Sequence, residues 1–68
     1  PGGTVMTPLE VRRYLGRQVS WRGKEYTFTG CILRLVKGDF VYQAEITEYR
    51  ENMTTVYISA LDELQPKS

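Results

Sequence analysis

Residues 25–35, Glu25-Tyr26-Thr27-Phe28-Thr29-Gly30-Cys31-Ile32-Leu33-Arg34-Leu35, are rich in β-branched and aromatic side chains and bounded by turn residues. Such a run favours an extended strand. Alternation puts Tyr26 and Phe28 on one face, and Ile32 continues that phase. Cys31, Leu33 and Leu35 fall out of phase, with Gly30 at the change. A glycine at a phase change marks a bulge or bend, where a long strand crosses from one side of a sheet to the other.

Downstream, Lys37-Gly38-Asp39 supplies a hairpin turn. Phe40, Tyr42, Ala44 and Ile46 then alternate with Val41, Gln43, Glu45 and Thr47, which predicts a strand with one face buried. Arg50-Glu51-Asn52-Met53 reads as a turn, with Asn52 suited to a positive φ. Residues 54–59 form the next strand, with Val56 and Ile58 inward and Thr55, Tyr57 and Ser59 outward. Residues 60–64 make a helical turn or a final edge strand.

Upstream, Val19 and Trp21 share a strand face, with Gln18, Ser20 and Arg22 opposite, and Arg22-Gly23-Lys24 is a tight turn. Before it stands a short helix, about residues 8–15. Thr7 is its N-cap, Pro8 its first residue, and Glu10 the reciprocal partner of a capping box. Met6 and Val11 occupy the positions of a hydrophobic staple, and Gly16 ends the helix. Pro8, Val11, Tyr14 and Leu15 share its docking side, while Leu9, Arg12 and Arg13 lie opposite. So short a helix does not persist alone and must pack on the sheet.

A chain of 68 residues is one domain. Residues 1–6 read as a flexible leader, 7–65 as helix plus barrel and 66–68 as a polar tail. The composition, 41% hydrophobic and 25% charged, is that of a folded globule and excludes a disordered chain. No apolar run approaches the roughly 18 residues of a membrane span, and nothing resembles a secretory signal. A cytoplasmic location follows, and a single cysteine, Cys31, fits a reducing compartment. The absence of histidine removes the commonest general base and metal ligand, so no enzyme activity, metal or cofactor is expected. Cys31 reads as a small buried hydrophobe, because no histidine exists to activate it.

These elements predict a mainly β fold of four to five antiparallel strands with a short N-terminal α-helix. At this size, bending the long strand to close a small barrel hides its unpaired edges. The order of helix, Leu15-Gly16-Arg17-Gln18-Val19 strand, Gly23-Lys24 turn, long bent strand and two further strands resembles the SH3-like superfold and its Sm and Hfq type of small barrel. The chain has Lys37-Gly38-Asp39-Phe40 where that type has Asp-x-Met-Asn, and Val56-Tyr57-Ile58-Ser59 in place of its second signature. The family's RNA-contacting positions are therefore not carried over. The Gly23-Lys24-Glu25-Tyr26 turn and Tyr42-Gln43-Ala44-Glu45-Ile46 strand are also similar to short barrels of bacterial mobile elements, a likeness that implies no activity.

Charge supplies the functional expectation. Residues 1–38 carry a net +5 and residues 39–68 a net −4, from a total of +1. Arg12, Arg13, Arg17, Arg22 and Lys24 suggest a basic patch for phosphates, and an outward Tyr57, bordered by Tyr42 and Tyr49, a platform for a base. Trp21, Tyr26, Phe28 and Phe40 are assigned to the core. The expectation is a non-enzymatic binding module with nucleic acid as its ligand. The alternative is a protein-interaction or homo-oligomeric module using residues 54–59 as an edge strand.

Overall fold

The computed structural model of the chain describes residues 6–66. The leader assigned to residues 1–5 and the tail residues 67–68 lie outside them. The fold is mainly β. Five strands, β1 (Gln18–Trp21), β2 (Lys24–Val36), β3 (Asp39–Arg50), β4 (Met53–Ala60) and β5 (Gln65–Pro66), form one antiparallel sheet in the order β4-β3-β2-β1-β5. Among the described residues β4 pairs with β3 alone and β5 with β1 alone, so backbone pairing does not close a barrel.

Two hairpins follow from their turn residues. Arg22 (φ 51°) and Gly23 (φ 80°) link β1 to β2, and Lys37 (φ 50°) and Gly38 (φ 84°) link β2 to β3. Two successive positive φ values make type I′ turns, whose twist matches that of paired strands. The β3–β4 turn is built differently: Asn52 has no positive φ, contrary to the sequence expectation.

The bend in β2 is a bulge. Phe28 pairs with Ile46, but the next partner, Glu45, faces Gly30, leaving Thr29 as the extra residue. That insertion returns Cys31, Leu33 and Leu35 to the face of Tyr26 and Phe28, and sends Ile32 to the other. Thr29 also ties the bulge down. Its hydroxyl lies 2.7 Å from the Glu45 carboxylate, 2.8 Å from Thr47 Oγ1 and 3.2 Å from the Glu45 carbonyl. Since the carboxylate can only accept, the Thr29 proton goes there and Thr47 donates to Thr29.

The core comprises Met6, Val19, Trp21, Tyr26, Phe28, Ala44, Ile46, Leu61 and Leu64. Trp21 on β1 lies 5.7 Å from Tyr57 on β4, ring to ring, and Tyr26 5.4 Å from Tyr57. In a flat sheet three strand spacings, about 14 Å, would separate β1 from β4. The sheet is therefore strongly curled around these rings. A 3₁₀ turn, Leu61–Glu63, crosses beneath them, buries Leu61, and accepts the Trp21 indole N–H on Glu63 at 3.2 Å.

Two terminal assignments change. Met6 is not leader: it is 1% exposed and its N–H donates to Leu64 O at 3.1 Å. Pro66 is not tail, because it pairs with Val19. The helix is shorter than its caps suggest, a 3₁₀ turn Pro8–Glu10 running into α1 (Val11–Tyr14). The capping box forms, with Thr7 N–H donating to Glu10 Oε1 at 3.2 Å. Leu15 has already left helical geometry (φ −57°, ψ 128°) and is exposed, and the Gly16 N–H donates instead to Phe28 O at 2.7 Å. Gly16 itself takes a positive φ of 88°, as a glycine stop requires, and pairing with β2 begins at its N–H.

Candidate functional site

The five basic residues are exposed and are carried by three stretches of chain: α1, the approach to β1, and the β1–β2 turn with the start of β2. Arg12 and Arg13 lie on α1, where the Arg13 guanidinium sits 6.0 Å from the Tyr14 ring. Arg17 precedes β1 and accepts the Phe28 N–H on its carbonyl at 2.9 Å. Arg22 occupies the β1–β2 turn with its guanidinium 4.6 Å over Trp21, and Lys24 opens β2 opposite Trp21. Arg22 and Lys24 are therefore neighbours. Arg17 lies at the other end of β1, about 17 Å of extended chain away.

Tyr57 faces the opposite way from the sequence expectation. It pairs with Ile46, which is fully buried, and directly opposed residues in a sheet share a face. Tyr57 is consequently half-buried between Trp21 and Tyr26, while Val56 and Ile58 point outward at 52% and 48% exposure. Because Val56-Tyr57-Ile58 is apolar in both phases, alternation cannot choose the inward one. Tyr49 is exposed and lies on the face opposite Tyr57, so the three tyrosines do not border one platform.

The unexpected feature is an apolar arm. β1 pairs with β2 only as far as Thr27, and β4 with β3 only as far as Gln43. Residues 33–42 consequently continue as a two-stranded ribbon beyond the rest of the sheet, with Cys31 and Ile32 at its root. The core-side face of this ribbon carries Leu33, Leu35, Phe40 and Tyr42, exposed by 54%, 63%, 73% and 42%. Phe40, assigned to the core from its alternation, is thus a solvent-facing side chain near the tip. The reverse face adds exposed Ile32 and Val36, and Arg34, which donates to Gln43 Oε1 at 3.2 Å. Only the inner half of β3 has a core to face: Ala44 and Ile46 are fully buried. A sequence signal for the arm did exist. A four-residue β1 cannot cover a thirteen-residue β2.

At the base of the arm is a pocket of about 310 Å³, lined by Met6, Pro8, Val41, Tyr42, Leu61 and Asp62, with Ala60 completing it. Asp62 is exposed, and it is the acidic group of this otherwise apolar pocket.

Other chemistry is sparse. No group of three or more His, Cys, Asp or Glu placed to hold a metal occurs among the described residues. Cys31 is half-buried at the root of the arm, opposite Ala44, and burial raises its thiol pKa. The neutral thiol is the form favoured there, and it is a poor nucleophile. Glu45 belongs to the Thr29 network, and Glu48 pairs with Arg50 at 3.0 Å. They lie on opposite faces of β3 and do not act as a carboxylate pair. No helix among the described residues is long and apolar enough to cross a membrane. Comparison with known protein families, curated proteins and solved structures finds no match to this chain.

Proposed function

We propose that the chain is a small, non-enzymatic binding module whose business end is the 33–42 arm, and that its partner is a protein. The observation that carries this reading is the face of Leu33, Leu35, Phe40 and Tyr42, left in water without a charged residue among them. Exposed together they amount to about 400 Å², the scale at which an apolar patch on a small protein marks a contact surface. β4 contributes a second adhesive element. Met53–Ala60 is an uncharged strand at an edge of the sheet, and among the described residues its outer backbone row has no strand beside it, which suits strand addition. We read the curled sheet as an opened member of the SH3-like small barrels. The bulge at Thr29, the 3₁₀ turn before β5 and the meeting of Trp21 with Tyr57 support that reading. A reducing, cytoplasmic setting accords with the free Cys31.

The test is to replace Phe40 by the photoreactive p-benzoylphenylalanine and irradiate cells making the protein. Adducts on protein at this position are the expected result. Their absence overturns the assignment.

A nucleic-acid reading keeps one favourable observation: Arg22, its guanidinium over the Trp21 ring, stands beside Lys24 at a single turn. Two cations are a small footprint, for which neutralising Z phosphates gives a salt slope of about −0.9Z on duplex DNA. An amide-shift titration with short oligonucleotides at low and near-physiological salt tests it. Shifts at Arg22 and Lys24 that persist at the higher salt support the reading, and silence removes it.

A further inference from the structure

We infer that the occupant of the arm is a second copy of this chain, the two arms packing face to face and antiparallel about a two-fold axis. This rests on the reading of the arm as a protein-contact surface and names its partner. Three features of the arm point to self-pairing. Its contact face is uncharged and apolar from root to tip, Leu33 and Tyr42 at the root and Leu35 and Phe40 near the turn, so that a reversed copy meets like with like. From Tyr42 to Lys37 the arm runs five residues, about 17 Å, which is the overlap needed for each tip to reach the other copy's root. On the contact face charge stands only at the ends of that overlap, Lys37 in the turn and Asp62 at the pocket beside the root, while Arg34 and Asp39 lie on the reverse face, opposite Val41 and Val36.

In this arrangement Lys37 of each copy meets the second copy's Asp62, and the Phe40 ring lies against the mouth of the 310 Å³ pocket. The isologous contact makes each of these interactions twice. The four arm side chains supply about half of the roughly 800 Å² per partner of a standard interface, with the turn and pocket walls adding to it. The association is accordingly at the weak end, with a dissociation constant on the order of 10⁻⁵ to 10⁻⁴ M.

The experiment is sedimentation of the purified full chain, with a thiol reductant, from about 10 µM to 1 mM. A reversible dimer is expected. Phe40→Arg weakens it at least tenfold while circular dichroism and Trp21 emission stay unchanged, since Phe40 is outside the core. Lys37→Glu and Asp62→Lys each weaken it several-fold, and the two together in one chain restore it. A monomer at 1 mM overturns the inference, as does a dimer indifferent to Phe40→Arg, or charge reversals that fail to compensate. A monomer whose Phe40 photoprobe still marks another protein overturns self-pairing and leaves the protein-contact reading standing. A monomer without such adducts ends both.

Discussion

Thr29→Val is a sharp probe of what holds the bend in β2. Valine has the shape and strand preference of threonine, so the substitution removes a hydroxyl and little else. The lost contacts are the 2.7 Å bond to the Glu45 carboxylate and the 2.8 Å bond from Thr47, whose side chain is 4% exposed. A hydrogen bond to a charged group contributes about 1.5–3 kcal/mol, and a buried hydroxyl left unpaired costs about 1–3 kcal/mol. Glu45 is only half-buried and water can partly replace Thr29 there, which reduces the total. The net expectation is about 2 kcal/mol, or about 8–16 °C in Tm for a domain of this size. Urea unfolding followed by the emission of the core Trp21 reads it directly. Thr27→Val is the control, since it removes only the exposed 3.0 Å bond from Gln18, and should cost about 0.5 kcal/mol or less. Adding Thr47→Val to Thr29→Val should cost less than the sum of the two, because it removes the orphaned hydroxyl. A Thr29→Val protein that melts within about 2 °C of the parent refutes the reasoning and makes the bulge a product of core packing alone.

The other expectations concern the rings, the turns and the thiol. Tyr57→Ala should destabilise by about 2–4 kcal/mol and red-shift Trp21 emission, since it opens the ring cluster, whereas a solvent-facing tyrosine would leave both unchanged. Lys37→Asn should stabilise by about 0.5–1 kcal/mol in thermal melts at low protein concentration, because Lys37 holds a left-handed φ that asparagine adopts more easily. Arg22→Asn should gain little by the same assay, since it also loses the guanidinium stacked on Trp21, worth about 0.5–1 kcal/mol. Cys31 should alkylate several-fold more slowly in the folded than in the urea-unfolded chain at neutral pH. Its raised pKa means the unfolded thiol ionises first as pH rises, so the folded state loses stability in the alkaline range; Cys31→Ala should flatten that decline in urea midpoints.

Where side-chain type and backbone conformation coincide, the fold was legible from the chain. Gly23 and Gly38 follow a charged residue at each two-residue turn, the phase change at Gly30 locates the bulge within one residue, and Thr7 with Glu10 forms its box. Failures arose where a pattern was satisfied twice over. Residues 56–58 are apolar on both faces, so register with Ile46, a tertiary fact, decides that Tyr57 is inside. Phe40 alternates in step with Ala44 and Ile46, yet alternation says only which face a residue shares and not whether anything covers that face. The basic residues posed the same difficulty in another form. Arg17 and Arg22 are close in sequence, but an extended strand carries them to opposite ends of β1.

The bond from Met6 N–H to Leu64 O has a bearing on the order in which the fold assembles. Met6, Val19 and Trp21 share one core with Leu61 and Leu64, which lie far along the chain from them. The β2–β3–β4 meander needs only pairing between consecutive strands and can form first, with its inner face unroofed. Completion waits on contacts between residues 6–21 and residues 61–64, which slows folding relative to a fold built of local contacts. The folding chain therefore passes through a stage with more apolar surface in water than the folded one, where a chaperone is best placed to act.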